Sequence, residues 1–330
     1  MLPLLLAILL GTSPSPVPLR LTDKAFGKPA EIEVRDLPEE VAQGVIRRAL
    51  AEIAELERLT DAVRPDGGLA MLNAAAGKGP QTADPRLLTL LGRARDFCFW
   101  SEGAHGPLGR DLYALWGLRS PVTEAPSPER LEPVAGLTAC TRLALDPQKG
   151  TAALDEKSGL DLWGFAEGFA VDRAVEILRQ GGAGNGLVRI GAVQRGFGAG
   201  PAGKGWPVEL PSLPGLEGPA GRLYLRDRAL AFASPMDHPR GPRASEGPAS
   251  PAYVSQRTGR PTEGVLATVT VTELAMDAQG LATSLFILGP REGQLRMGTL
   301  RPRPSILWFL GSGTGAPLQV DYRWSEVSRK

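Results

Sequence analysis

Residues Asp161 to Gly182 read DLWGFAEGFAVDRAVEILRQGG. From Phe165 to Gln180 the apolar residues recur at helical spacing, and Gly181-Gly182 ends the run, since glycine adopts the left-handed conformation of a helix C-terminus without a Cβ penalty. Leu187 to Ile190 then reads as a strand. A helix with one apolar stripe, followed at once by a strand, needs a packed sheet to bury both.

Elements of both kinds continue outward. On the N-terminal side, Ala30 to Val34 (AEIEV) alternates like a short strand. From Pro38 to Leu59, the residues Val41, Val45, Ile46, Leu50, Ile53, Leu56 and Leu59 mark a helix, with Asp36 as its expected N-cap and Pro38 in its first turn. Asp84-Pro85 opens another helix, whose buried stripe is Leu87, Leu88, Leu91 and Ala94. Ser120 to Gly136 is rich in Pro and Glu and is expected to break regular structure. On the C-terminal side, Gly196 to Gly221 is dense in Gly and Pro around a short strand, Trp206 to Leu210. Leu223 to Leu225 and Ala229 to Ala233 look like a hairpin, and Pro239 to Pro251 like a turn-rich insertion. Val265 to Val271 is a strand, Ala275 to Leu288 a helix and Ser305 to Leu310 a late strand. Helices lead and strands dominate the second half, so the class is α+β, a mixed or antiparallel sheet with packed helices. No internal repeat is present.

The chain has 330 residues, with 37 Lys and Arg against 36 Asp and Glu, a net charge of +1. That balance argues against a nucleic-acid binder, which gathers a basic excess on one face. Hydrophobic residues at 42% supply a core, and 41 Gly with 30 Pro imply many turns. Leu2 to Leu10 is an apolar run too short to span a bilayer, and it is followed by small and Pro-rich residues from Gly11 to Pro18. Residues 1–20 therefore read as a signal peptide or leader, and export to a periplasmic or other extracytoplasmic space is expected. No later stretch is long and apolar enough for a transmembrane span. Cys98 and Cys140 permit one disulfide in an exported protein, although Cys98 between Phe97 and Phe99 suits a buried thiol equally well. Two Cys and two His, His105 and His238, make no zinc pattern.

Chemistry-bearing motifs are sparse. GFGAGPAGKG, Gly196 to Gly205, is not a phosphate loop, because Gly205 follows Lys204 where Ser or Thr is required. No G-x-S-x-G elbow occurs, His105 lies among glycines in a loop, and Glu52 and Glu55 face outward from their helix.

Three segments, in order, resemble the ApbE family, the bacterial FAD:protein FMN transferases. SEGAHGPLGRDLYALWGL (Ser101 to Leu118) is similar to S-G-G-A-F-D-P-T-V-x-P-L-x-x-L-W-G-F; Asp161 to Gly182 resembles D-L-G-G-I-A-K-G-Y-A-V-D and a following helix. LAMDAQGLATSLFILGP (Leu274 to Pro290) resembles A-M-x-A-D-A-L-A-T-A-L-F-V-L-G-P. Weaker echoes are FGKPAEIEV from Phe26, PDGGLAMLN from Pro65 and QRTGRP from Gln256. The resemblance implies one ApbE-like domain over residues 21–330, with insertions near 119–136, 196–221 and 239–251. It also implies FAD as substrate, Mg²⁺ at the pyrophosphate, and a flavoprotein acceptor whose threonine attacks the FMN phosphorus and releases AMP.

Carried across residue by residue, the family's flavin-contacting turn falls on Ala104, His105 and Gly106, without its carboxylate. The leading Asp of D-L-G-G is Asp161, and the glycine whose carbonyl faces the metal is Gly164. The basic residue of A-K-G is Glu167, a reversed sign. The metal Asp falls on Gln279, while the threonine four residues later is Thr283. Gln offers a neutral carbonyl but neither a charge nor a proton acceptor. Asp277, two residues earlier, lies on another helix face. Further contacts implied by the resemblance are Phe26, Ser234 and Arg257, and no catalytic residue is assigned. Gly191-Ala192-Val193 and Ser234-Pro235-Met236 have lost the polar ends of their motifs, and Ala252 and Ser255 replace His and Asp. Core positions such as Leu112, Trp116 and Leu285 are kept. The resemblance thus leaves two readings: an exported Mg²⁺-dependent FMN transferase, or a catalytically silent relative serving as a binding or assembly protein.

Overall fold

The computed structural model describes residues 18–119, 122, 124–235, 251–312 and 315–328. The chain begins with β1 (Leu19–Ala25) and β2 (Lys28–Val34), followed by α1 (Glu39–Thr60), α2 (Gly68–Ala74), β3 (Gln81–Thr82) and α3 (Pro85–Trp100). Next come α4 (Arg110–Leu115), α5 (Pro128–Ala135), β4 (Leu143–Asp146), β5 (Thr151–Leu154) and α6 (Ala166–Gln180). Then follow β6 (Gly186–Ile190), β7 (Val193–Phe197), β8 (Trp206–Leu210), β9 (Gly221–Leu225) and β10 (Arg228–Ala233). The last elements are β11 (Val265–Thr272), α7 (Ala275–Arg296), β12 (Ser305–Leu310), β13 (Leu318–Tyr322) and α8 (Ser325–Ser328).

Eight strands form one sheet in the order β1-β2-β6-β7-β10-β11-β12-β13, and every neighbouring pair is antiparallel. Its two faces are both buried, and the period-2 alternation of strand side chains sorts residues between them. Ile32, Val188, Ala231, Ile306 and Trp308 join the core under the helices. Leu187, Leu230, Phe232, Val269, Leu307 and Phe309 point the other way, where the ribbon β8-β9 covers them with Trp206, Val208, Leu223 and Leu225.

The helices form the second layer. Asp84 accepts the Arg86 N–H at 2.8 Å and caps α3, with Pro85 in its first turn. α6 and α7 touch so closely that a Cβ on Gly168 would lie 2.5 Å from the Ala275 carbonyl oxygen. The N-terminus of α7 is capped from α6: Asp172 accepts the N–H groups of Ala275 at 2.8 Å and Met276 at 3.0 Å. α7 leaves helical geometry at Gly289 (φ 68°), just ahead of Pro290. Cys98 and Cys140 are joined by a disulfide, their Cα atoms 5.8 Å apart. No helix among the described residues is long and apolar enough to cross a membrane.

The α+β class and the principal helices agree with the sequence reading, and four details correct it. β1 begins at Leu19, inside the stretch assigned to the leader. α5 forms where Pro and Glu suggested no element, because Pro128 sits in the first turn, whose N–H groups need no helical partner. β9 and β10 are not a hairpin: β9 pairs with β8, whereas β10 pairs with β7 and β11. Asp36 does not cap α1; its Oδ2 accepts the Gly184 N–H at 2.7 Å. Most of the insertion near 239–251 lies outside the described residues.

Candidate functional site

The β1-β2 turn has two residues, Phe26 and Gly27, both at positive φ (53° and 71°), the geometry of a tight hairpin that matches strand twist. It places Phe26 and Lys28 on the wall of a cavity. The cavity, about 460 Å³, is bounded by this turn, the end of α1, α4 and the segment that leads into α6. Its chemistry comes from Phe26 and Trp163, from Lys28, Arg110 and Arg119, and from Glu57, Asp61, Asp161 and Glu167. A smaller cavity of about 30 Å³ adjoins it through Lys28 and Trp163 and is lined by Gly164, Gln279, Thr283 and the strand-end residues Ala192 and Val193.

The segment from Asp161 to Ala166 is built as a turn. Asp161, buried, accepts the Trp163 N–H at 2.8 Å and the Arg119 Nε–H at 2.6 Å. Gly164 has φ 85°, and a Cβ there would meet His105 Nε2 at 2.9 Å and Thr283 Oγ1 at 3.0 Å, so the position requires glycine.

Glu167 opens α6 and is buried at 4% exposure. Its Oε1 accepts the Lys28 ammonium at 2.7 Å, and its Oε2 accepts the Gln279 side-chain amide. Burial by itself pushes this carboxyl's pKa up. The charge of Lys28 and the hydrogen bonds from Lys28 and Gln279 outweigh that and hold it below the usual carboxylate value. Gln279 is committed at both ends, because its Oε1 accepts the Gly168 N–H at 2.7 Å.

The turn Ala104-His105-Gly106 lies behind this wall, in the core. His105 is fully buried and stacks on Phe165 with ring centroids 4.4 Å apart. Its Nε2–H donates to the Trp163 carbonyl at 3.3 Å, and its Nδ1 accepts from Ser284 Oγ at 3.0 Å. Burial lowers its pKa to about 4, so the ring is neutral at pH 7. A Cβ on Gly106 would fall 2.4 Å from Cys98 Cβ, which fixes that glycine against the disulfide.

Of the residues singled out in the sequence, Phe26, Asp161 and Glu167 line the large cavity, and Gly164, Gln279 and Thr283 the small one. Ala104, His105 and Gly106 line neither. Ser234 is buried, its carbonyl accepting the Tyr253 hydroxyl at 3.4 Å. Arg257 is turned to the surface, where both its Nη groups donate to Glu292 at 2.8 Å. Asp277 pairs with Arg93 on α3 at 2.7 Å, facing away from Gln279 as the helix geometry requires. The sequence reading missed Lys28, Arg110, Arg119 and Trp163. Gln256 also escaped it: buried, it donates to the Gly106 carbonyl at 2.7 Å and to the Tyr113 hydroxyl at 2.8 Å, tying two distant segments together.

Residues 26–302 match the model of the ApbE family. The chain belongs to the ApbE family. A FAD:protein FMN transferase of Haemophilus influenzae is 30% identical over 197 residues, which are 57% of this chain and 56% of that protein. One of Klebsiella pneumoniae is 23% identical over 290 residues, covering 86% of this chain and 82% of the relative. The chain thus spans little more than half of the Haemophilus relative. Among solved structures, the flavin transferase ApbE of Vibrio cholerae superposes with a TM-score of 0.79 at 21% identity, over 93% of this chain and 97% of that one. The apo flavinyl transferase ApbE of Pseudomonas stutzeri gives 0.80 at 19% identity, over 95% and 97%.

The ApbE fold implies Mg²⁺, and the donors present here do not fit it. Mg²⁺ takes hard oxygen ligands, chiefly carboxylates, phosphates and water, in octahedral geometry. The small cavity lined by Gly164 and Thr283 has no Asp or Glu on its wall, Glu167 on the wall of the large cavity is paired with Lys28, and the Gln279 oxygen is spent on Gly168. No cluster of three or more His, Cys, Asp or Glu able to hold a metal occurs among the described residues. The large cavity has a volume in the range of small-molecule sites, with two aromatic rings, three cations and four carboxylates on its walls.

Proposed function

We propose that this ApbE-family protein is an exported flavin-nucleotide-binding protein that has given up metal-dependent FMN transfer. Phe26 and Trp163 receive the flat ring system, and Arg110 and Arg119 face the phosphates. The observation that carries the reading is the closed set Lys28–Glu167–Gln279, which takes the oxygens a pyrophosphate-bound cation would need. Losing one well-placed electrostatic group from a charge-developing transition state costs about 10²–10³ in rate, and here both a metal carboxylate and a basic residue are replaced. Export is supported by the leader-like start and by the Cys98–Cys140 disulfide, since such bonds persist in oxidising compartments.

A second reading, an active FAD:protein FMN transferase, is favoured by the retained Gly164 and Thr283 and by the shared activity name of the relatives. One experiment separates the two. Full-length protein is titrated with FAD in EDTA and in Mg²⁺, and AMP release is followed with an exported flavoprotein bearing an acceptor threonine. FAD binding without AMP release supports the first reading. Mg²⁺-dependent AMP release would replace it with the second, and no FAD binding would sink both.

A further inference from the structure

Lys28 stands at the start of β2, lines both cavities and keeps only 20% of its side chain exposed. Its stem lies across Gly191, where an added Cβ would sit 2.6 Å from Lys28 Cδ, so the strand end that carries Gly191 leaves a channel for the lysine. The ammonium reaches Glu167 Oε1 at 2.7 Å, and Gln279 covers the other carboxylate oxygen. No Asp or Glu lines the small cavity, and a divalent ion beside Glu167, on the wall of the large one, would meet the Lys28 ammonium already seated on its Oε1.

We propose that Lys28 is a tethered counter-cation: it occupies the place beside Glu167 that a divalent ion would take, closing the site to Mg²⁺. The proposal stands on Lys28, Glu167 and Gln279 and does not depend on the flavin-nucleotide reading above. Removing Lys28 leaves a buried, unpaired carboxylate, which is strongly destabilising, and a divalent ion is the available replacement for the lost charge.

The test is titration of full-length protein with Mn²⁺, which takes the same oxygen ligands as Mg²⁺, followed by the EPR signal of the free ion. Wild type should leave Mn²⁺ free into the millimolar range. Lys28→Met should bind one Mn²⁺ at least about tenfold more tightly, and its melting temperature should rise in Mn²⁺ while that of wild type does not. Lys28→Met/Glu167→Gln should lose the ion again. Should Lys28→Met fail to fold, Lys28→Gln, whose amide can still donate to Glu167, takes its place and must show the same gain. Tight Mn²⁺ binding by wild type, or folded Lys28 variants that bind none, would overturn the proposal. FAD binding is read separately: equal affinity in EDTA and Mg²⁺ is expected. A failure to bind FAD would remove the nucleotide reading while leaving the Mn²⁺ result to judge the metal exclusion.

Discussion

Arg195 and Asp172 form a buried ion pair, with Nη1 2.7 Å from Oδ1. The same carboxylate caps α7, so one side chain on α6 ties strand β7 to the helix that carries Gln279 and Thr283. Breaking a buried pair from one side leaves an uncompensated charge and costs about 3–5 kcal/mol. Asp172→Ala should therefore lower unfolding stability by that order in urea titrations. Asp172→Ala/Arg195→Met should lose less than the two single changes added together.

His105 makes stability depend on pH with a definite sign. Its folded-state pKa is about 4, below the value near 6.5 of an unfolded histidine. Between those limits the unfolded chain binds the extra proton, so stability is full above pH 6.5 and falls as the pH drops towards 4. Two and a half pH units correspond to about 3 kcal/mol. His105→Phe keeps the stack on Phe165 and removes the titration. Its stability-versus-pH curve should be flatter than wild type by about that amount across this window, and parallel curves would show that His105 is not the group responsible.

Gly168 sets the distance between α6 and α7. A methyl group there meets backbone atoms of Ala275 and Met276 rather than the end of a flexible side chain, so relief requires the helices to part. Gly168→Ala should destabilise by about 1–3 kcal/mol despite the better helix propensity of alanine. It should also loosen the Gly168 N–H to Gln279 contact, visible as faster amide exchange at that residue.

Arg119 and Asp161 place opposite charges on one wall of the large cavity. If an anionic nucleotide binds there, Arg119→Ala should weaken FAD by about tenfold and Asp161→Asn should strengthen it. Calorimetry on both variants checks this. Equal effects in the same direction would point to lost folding rather than to lost charge.

Much of this architecture was legible because helices that pack on one face must repeat their apolar residues, as Val45, Ile53 and Leu56 do along α1. β7 was hidden because Gly196 looks like loop composition, yet its glycine is there to let the ribbon approach: a Cβ would meet Trp206 Cδ1 at 2.9 Å. The hairpin misreading of β9 and β10 has a similar cause, since adjacency in sequence cannot tell a turn within a sheet from a step between two sheets. In the site, Glu167 and Gln279 were visible as single departures from the ApbE pattern. Their partnership was not, because Lys28 is 139 residues from Glu167 and Gln279 is 112 away. A reversed charge read in isolation looks like a loss; beside its partner it is half of a pair.

The pairing of β2 with β6 sets Ala30 opposite Ile190, so the first hairpin of the chain meets its sheet neighbour only after the three long helical segments between them exist. Long-range pairing of this kind slows folding, because chain closure must precede the contacts that reward it. During synthesis from the N-terminus, α1 follows directly and can cover the hairpin's apolar face, but the edge of β2 that pairs with β6 stays open until Ile190 has emerged. For that interval the open edge of the strand that begins with Lys28 is a place where a holding chaperone can act.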